Sequence, residues 1–175
     1  MLLRRFLLTL IGVFLVSMSS SVFAITQSQR NIILGLHNYI REQYHLPNLV
    51  WDMNIEKQSQ EWANTLIKNN VLKHSNSTNN KGMGENLYMI TTSEKRIKSD
   101  GSDAVIVWTQ EGQSYDFGTN TCNTGAICGH FTQVIWKNTK RVGCGQALKK
   151  KGSMTTIYWV CQYDPPGNYI GQKPY

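Results

Sequence analysis

The chain has 175 residues, with 18 Lys and Arg against 11 Asp and Glu, a formal net charge of +7 and four cysteines. This length suits one domain with a single core, and no stretch beyond the first two dozen residues is long and apolar enough to span a bilayer. The only dense basic run, Lys149–Lys151, lies in a predicted turn without an accompanying pattern of stacking aromatic residues. Composition and charge therefore argue against a nucleic-acid-binding protein.

The N-terminus has the form of an export signal. Two arginines precede an apolar run of about ten residues from Leu7 to Val16, the length of a signal-peptide core. Ala24 ends a small-residue cleavage site, and the run is shorter than the roughly 20 residues that a membrane span needs. We predict a signal peptide over residues 1–24, one mature domain over residues 25–175, and a secreted protein, extracellular or periplasmic.

Two helices are predicted at the start of the mature domain. The first spans residues 26–46, with Thr26 or Ser28 as its N-cap, and a proline ends it. Its apolar residues recur at helical spacing and form the predicted buried face: Ile32, Ile33, Leu36, Tyr39 and Ile40. His37 and His45 are predicted to be surface or capping residues of this helix.

The second helix is predicted over residues 51–70, capped by Asp52 or Asn54. Its predicted buried face comprises Ile55, Trp62, Ala63, Leu66 and Ile67. Residues 74–101 are polar and rich in turn formers, which indicates mostly loop. A third helix is predicted over residues 102–115, with one side formed by Trp108, Glu111 and Tyr115.

The last third of the chain has the texture of strands. Residues 130–136, 141–148 and 155–163 are β-branched and aromatic, with turn formers between them. They show little alternation of apolar and polar residues, so both faces of their sheet should be covered. Helices first and strands later predict an α+β fold with helices packed on an antiparallel sheet.

All four cysteines lie in this last third, namely Cys122, Cys128, Cys144 and Cys161. In an exported chain an even number of cysteines favours disulfides, and the absence of a C-x-x-C pair argues against a zinc site made of them. A hairpin turn at residues 152–153 would place Cys144 opposite Cys161 and leave Cys122 for Cys128. The two other pairings remain open.

Four ionisable residues stand in settings that suggest a site. They are His74 in KHSN, Glu85 in GMGENLY, Glu111 in WTQEGQ and His130 in CGHFTQ. Three of them also have an ordinary structural interpretation: Glu85 could cap a turn, Glu111 could lie on a solvated helix face, and His130 could be a core histidine. The chain has no phosphate-binding glycine loop, no H-E-x-x-H and no G-x-S-x-G motif.

Two longer motifs resemble the signatures of a known family. GHFTQVIWKNT and YWVCQYDPPGNY are similar to the two signature motifs of the CAP superfamily, which includes cysteine-rich secretory proteins, venom antigens and plant pathogenesis-related proteins. Shorter segments follow the same order as in that family: LHNYIR, LVWD, EWA, HS, GENLY and WTQE. The resemblance covers about residues 28–175, and the closing CQYDPPGNYIGQKPY is similar to the plant branch.

The resemblance implies a three-layer α-β-α sandwich with a central antiparallel sheet. It places the family's cleft tetrad on His74, Glu85, Glu111 and His130, with His74 and His130 as ligands of a divalent metal, often zinc, and the glutamates as hydrogen-bonding partners. It also supports the pairs Cys122–Cys128 and Cys144–Cys161. The plant members have a third disulfide, for which this chain lacks the cysteines.

The resemblance further implies a monomeric, secreted binding or interaction protein, with a lipid, a sterol or a component of a target-cell surface as partner, in a defence or effector role. The polar loop at residues 89–101 departs from the aromatic loop linked to sterol binding, which argues against a sterol. The alternative is a metal-assisted, peptidase-like hydrolase with Glu85 or Glu111 as base. Ser75, beside His74, is predicted to make a loop hydrogen bond rather than to act as a nucleophile. In a third possibility the fold is retained and the cleft is idle.

Overall fold

A computed structural model of the protein describes residues 25–76, 82–93 and 100–175. The predicted signal peptide, residues 1–24, lies outside the described residues. In chain order the elements are α1 (Gln27–Gln43), β1 (Val50–Trp51), α2 (Met53–Asn69), β2 (Gly84–Thr92), α3 (Ser102–Gln110), a 3-10 turn (Glu111–Ser114), β3 (Tyr115–Asp116), β4 (Thr121–Cys122), α4 (Gly129–Val134), β5 (Arg141–Lys151) and β6 (Met154–Asp164).

The first two helices begin at predicted caps. The Thr26 hydroxyl accepts a hydrogen bond from the Gln29 backbone N–H, and the Gln29 side chain accepts one from the Thr26 backbone N–H. This reciprocal pair satisfies two N–H groups that have no partner within the helix. At α2 the Asp52 carboxylate accepts from the next helical N–H groups in the same way.

The four strands β1, β5, β6 and β2 form the main sheet, in that order. The long strands pair antiparallel, and the two-residue β1 pairs parallel with β5, so the sheet is mixed. Lys151 lies opposite Met154 at the hairpin turn, and Cys144 lies opposite Cys161, as predicted. The disulfides are Cys144–Cys161 and Cys122–Cys128, with Cα–Cα distances of 4.1 and 5.8 Å.

Helices cover both faces of the sheet, which confirms the α-β-α sandwich. On one face α2 packs Ala63 and Leu66 against the sheet residues Leu87, Tyr158 and Val160. On the other face lies a larger core from α1, α3 and the sheet, which includes Ile33, Ala104, Trp108, Val142 and Trp159. Because both faces are buried, Val142–Ala147 and Ile157–Tyr163 are continuous buried runs without alternation.

Two glycines set the distance between α2 and β5. A Cβ atom at Gly143 would lie 2.2 Å from the Glu56 backbone nitrogen, and one at Gly145 would lie 2.3 Å from the Gln60 Cα. Neither contact is sterically possible, so any larger residue would push α2 away from the sheet.

None of the helices in the described part of the chain has the length and apolar character to cross a membrane.

One of the predicted elements is wrong, and a second is incomplete. Residues 130–136 were expected to be a strand, but Gly129–Val134 form the short helix α4. Because every residue from Phe131 to Trp136 is buried, this helix has no polar stripe and its composition imitates that of a strand. The predicted loop over residues 74–101 contains β2, an edge strand paired along its whole length with β6.

The buried face of α1 also differs from its prediction. The fully buried row is Ile33, His37 and Arg41, whereas Tyr39 is 60% exposed. The prediction that His37 is a surface or capping residue is therefore wrong, while His45 is exposed as expected. Residues four apart share one face of a helix, and here two of the three are polar, so the apolar pattern did not reveal them.

Buried Arg41 connects α1 to the end of α4. Its guanidinium donates hydrogen bonds to the carbonyl oxygens of four residues in three separate turns: Pro47, Val134, Trp136 and Thr139. Burial lowers the pKa of Arg41 to about 10, so the side chain stays charged at neutral pH. The Arg41 side chain thus fixes the chain immediately after α4 without any carboxylate partner.

Candidate functional site

The structure places His74 next to Glu85 at one end of β2. His74 lies in the coil that follows α2, and Glu85 is the second residue of β2. The Nδ1 atom of His74 is 2.8 Å from Oε1 of Glu85. The imidazole is 64% exposed, whereas the carboxylate is only 3% exposed.

The Glu85 carboxylate has all of its acceptor positions occupied. Oε1 also accepts from the Ser75 backbone N–H at 2.9 Å, and Oε2 accepts from the Ser75 hydroxyl at 2.6 Å and from the Gln162 amide at 3.0 Å. A carboxylate has about four lone-pair positions, and these bonds use them all.

Electrostatics favour the ionised form of this pair. Burial alone would raise the pKa of the Glu85 carboxyl, but hydrogen bonds from His74, Ser75 and Gln162 together outweigh burial and lower it. The hydrogen bond to Glu85 raises the pKa of His74, against the opposing effect of burial. The pair therefore holds a proton on His74 more strongly than a free imidazole does.

The structure places His130 next to Glu111 in a second pair. Glu111 begins the 3-10 turn after α3, and His130 is the second residue of α4. The Nδ1 atom of His130 is 2.6 Å from Oε1 of Glu111. Oε2 accepts from the backbone N–H groups of His130 at 3.0 Å and of Phe131 at 3.3 Å, two donors of the first helical turn that have no partner within the helix.

The ring of His130 is also held from the side. It stacks on Trp108 with ring centroids 6.2 Å apart and planes inclined at 21°. The Trp108 indole donates to the carbonyl of Leu87 in β2 at 3.0 Å, so the stacking partner is itself fixed to the sheet. His130 is 25% exposed and Glu111 is 16% exposed.

Edge strand β2 connects the two pairs. Successive strand residues point to opposite faces of a sheet, so Glu85 faces the α2 layer with Leu87, while Asn86 faces the layer of α1 and α3. The Asn86 amide donates to the carbonyl of His130 at 3.0 Å. The two histidines therefore come from opposite helical layers to the same end of β2.

A buried hydrogen-bond network lies behind His130. Nδ1 of His37 donates to the carbonyl of Ile33 at 2.8 Å, so Nε2 accepts from the Tyr163 hydroxyl at 2.9 Å. Tyr163 accepts in turn from Asn86 at 3.2 Å. Burial lowers the pKa of His37 to about 4, with a smaller lowering by Arg41, so this histidine is neutral at physiological pH.

Four residues of this arrangement were missed by sequence reasoning: His37, Asn86, Gln162 and Tyr163. The signal that could have revealed two of them is a polar residue within a buried strand, since Gln162 and Asn86 are amides inside buried strand segments. A buried amide needs partners, and here the partners are the site residues and their supports.

The donor atoms decide which metal site these residues could form. Each Nδ1 is bonded to a carboxylate, so Nε2 of His74 and Nε2 of His130 are the nitrogens available to a metal. Within residues 25–76, 82–93 and 100–175, no group of three or more His, Cys, Asp or Glu residues is arranged to hold a metal ion. The described residues therefore do not supply a closed structural zinc site with four ligands, and at most the two imidazole nitrogens are left as ligands.

The geometry gives little support to the hydrolase alternative. The Ser75 hydroxyl donates to Glu85 and not to His74, which matches its predicted loop role and differs from the Ser–His contact that activates a serine nucleophile. Glu85 has no free acceptor position for the proton of a water molecule. Glu111 is bonded to one imidazole and two backbone N–H groups.

Comparison with known proteins identifies the family. The sequence model of the cysteine-rich secretory protein family, CAP, matches residues 34–163. The chain belongs to this family.

The relatives include plant proteins, and the structural neighbours include one crystal structure with zinc. Pathogenesis-related leaf protein 4 of Solanum lycopersicum is 37% identical over 144 residues, covering 81% of this chain and 80% of the relative. Pathogenesis-related protein 1 of Arabidopsis thaliana is 36% identical over 149 residues, covering 85% and 84%. The crystal structure of NaASP2 with Zn2+ matches with a TM-score of 0.68 at 25% identity, covering 87% of each chain. BmVAL-1 matches with a TM-score of 0.70 at 25% identity, covering 86% of this chain and 83% of that one.

Proposed function

We propose that this CAP protein is an exported interaction module in which His74 and His130 bind a divalent metal, zinc, through Nε2. The observation that supports it is the shared form of the two pairs: in each, a buried or half-buried carboxylate takes Nδ1 and leaves Nε2 as the free nitrogen. The similar NaASP2 was crystallised with Zn2+.

The carboxylates would act on the metal through the imidazoles. A carboxylate that accepts from Nδ1–H fixes the tautomer with its lone pair on Nε2 and raises the basicity of that nitrogen. Two imidazoles supply half of a tetrahedral set, so the remaining positions stay open to water or to a polar group of a partner. In this proposal zinc adds Lewis acidity and positive charge to the cleft.

Acidity should oppose metal binding at His74. Only the neutral imidazole is a ligand, and the pKa of His74 is raised, so protons compete there at a higher pH than at a free histidine. Zinc affinity should therefore fall as the pH drops through this raised pKa, and the loss should be smaller in a variant without His74.

Export is part of the proposal and has separate support. Two disulfides in a small domain suit an oxidising compartment. The partner stays a prediction from the family resemblance, a lipid, a sterol or a component of a target-cell surface.

The test is calorimetric titration of zinc into the purified, oxidised protein at neutral pH, beside His74→Ala and His130→Ala. Each substitution should weaken zinc binding at least about tenfold, the effect of losing a ligand or its orienting group. His45→Ala is the matched control, because His45 is exposed and belongs to neither pair. Equal affinity in all four proteins would exclude the two-histidine site.

A further inference from the structure

A cavity lies beside α4, and none of the four residues of the His–Glu pairs lines it. Its volume is about 310 Å³. The Cys122–Cys128 disulfide, the exposed side of α4 and the segment after β6 form its walls. The cavity is at the small end of the roughly 300–1,000 Å³ typical of ligand sites.

Three aromatic side chains line this cavity. Tyr115 and Tyr169 are partly exposed, and Trp136 is buried except for a small area. Trp136 and Tyr169 have ring centroids 6.1 Å apart and are inclined at 50° to each other. The negative face of an aromatic ring attracts weakly positive C–H groups, which the flat side of a sugar ring supplies.

Three amide side chains complete the lining: Asn120, Asn168 and Gln172. Asn120 accepts from the Tyr115 hydroxyl and donates to the Gln172 carbonyl at 3.2 Å. Asn168 accepts from Thr132 and donates to the Gly129 carbonyl. An amide has two N–H groups and two lone pairs, so beyond these bonds each asparagine has the capacity to donate one more hydrogen bond and to accept one more.

The cavity lining carries no formal charge among the residues that the structure describes. Lys173 follows the lining residue Gln172 in the sequence, but its ammonium group donates to the carbonyls of Phe117 and Gly118. A phosphate, sulfate or carboxylate would therefore be buried without a cation, and a cationic ligand without an anion.

We propose that this cavity binds a neutral saccharide, one or two sugar units long. A hydroxyl group donates and accepts at once, which matches the paired donor and acceptor left on each amide. The partly exposed Tyr115 and Tyr169 would pack against the C–H face of the ring, and the exposed mouth at Tyr169 would let a longer chain continue into solvent. This site is independent of the metal site.

The experiment is a nitrogen-15 NMR titration of the full oxidised protein with β-linked tetramers of glucose and of N-acetylglucosamine. At least one tetramer should produce saturable shifts of the Trp136 indole and of the side-chain amides of Asn120 and Gln172, with a dissociation constant on the order of 1 mM. A sulfated β-linked tetramer should bind more weakly than its neutral counterpart.

Variants locate the binding. Tyr169→Ala and Gln172→Ala should each weaken it at least about fivefold, the loss of one stacking or amide contact. Ile170→Ala is the matched control, because Ile170 is fully exposed, lies between them and does not line the cavity. His74→Ala should bind the saccharide normally, which separates this proposal from the metal site. Absence of saturable shifts with both neutral tetramers, tighter binding of the sulfated one, or unchanged binding in Tyr169→Ala would each overturn the proposal.

Discussion

The two His–Glu pairs share the same Nδ1–carboxylate contact, but the surrounding fold supports them differently. In the first pair the fold holds the acid: Glu85 is 3% exposed with four hydrogen bonds, while His74 is 64% exposed. In the second pair the fold holds both partners: His130 is 25% exposed, stacks on Trp108 and has its own backbone N–H bonded to Glu111.

The two histidines therefore differ in how firmly the fold holds them, although each is bonded to a glutamate through Nδ1. An exposed imidazole on a coil can change its rotamer to meet a ligand, whereas His130 is preorganised by α4 and by the buried residues behind it. A metal bound by both histidines would thus meet one fixed and one adaptable ligand, with less entropy lost at the fixed one.

The largest loss of stability should come from replacing Arg41, which supports the second pair indirectly through the chain after α4. Arg41→Met would leave carbonyl groups around the end of α4 without partners, and we expect a loss of about 3–5 kcal/mol in the free energy of unfolding. Denaturant unfolding measures this loss, and NMR should show the His130 signals broadened and those of His74 unchanged. Arg141→Met is the control, since Arg141 is 54% exposed and solvent screens its ion pair with Asp164, so the loss of that pair should change stability little. Equal losses in the two variants would contradict the role of Arg41.

Acid should destabilise the folded protein through protonation of His37, which is buried behind His130. The unfolded chain protonates this histidine near pH 6.5, but the folded protein does so only near pH 4, so stability falls across that interval and no further below it. The full loss is up to about 3 kcal/mol. His74 acts in the opposite sense, because its raised pKa adds stability below pH 6.5 until Glu85 is protonated.

The two contributions separate in a difference curve of unfolding free energy against pH, wild type against His37→Gln. Because glutamine does not titrate, the wild type should lose more stability between pH 6.5 and pH 4 than the variant. Parallel curves would mean that His37 is not the buried neutral group described above.

Replacing the glutamates Glu85 and Glu111 should reduce stability by different amounts, and this difference is the smallest of the expected effects. Glu85→Gln replaces an acceptor of four hydrogen bonds with an amide that can keep about half of them, and we expect a loss of about 2–3 kcal/mol. Glu111→Gln affects three bonds at a more exposed position and should cost about 1–2 kcal/mol. Thermal or denaturant unfolding compares them, and an equal or larger loss for Glu111→Gln would reverse the assignment of which acid the fold anchors.

The parts of the fold with local signals were predictable. The caps Thr26 and Asp52 follow from side chains that serve the next few backbone N–H groups, and the pairing of Cys144 with Cys161 follows from one turn position. The layered fold followed from buried strands without alternation together with the family resemblance.

The parts that depend on tertiary burial were not predictable in this way. Helix α4 has only six residues, too few turns to show a clear helical period, and β2 is a strand because β6 supplies its hydrogen-bond partners along one edge. The four site residues came from the resemblance, whereas their division into two pairs depends on how the chain crosses the sheet edge. The buried partners His37 and Tyr163 could not be linked from sequence, since 126 positions separate them.

The most direct test of the account is the response of the histidine ring nitrogens to zinc, followed by NMR at neutral pH. We predict that Nε2 of His74 and Nε2 of His130 shift together and saturate at the same zinc concentration, while both Nδ1 atoms keep their protons and His37 does not change. Shifts at His45 alone, or saturation at His74 without any response of His130, would contradict a metal shared by the two pairs.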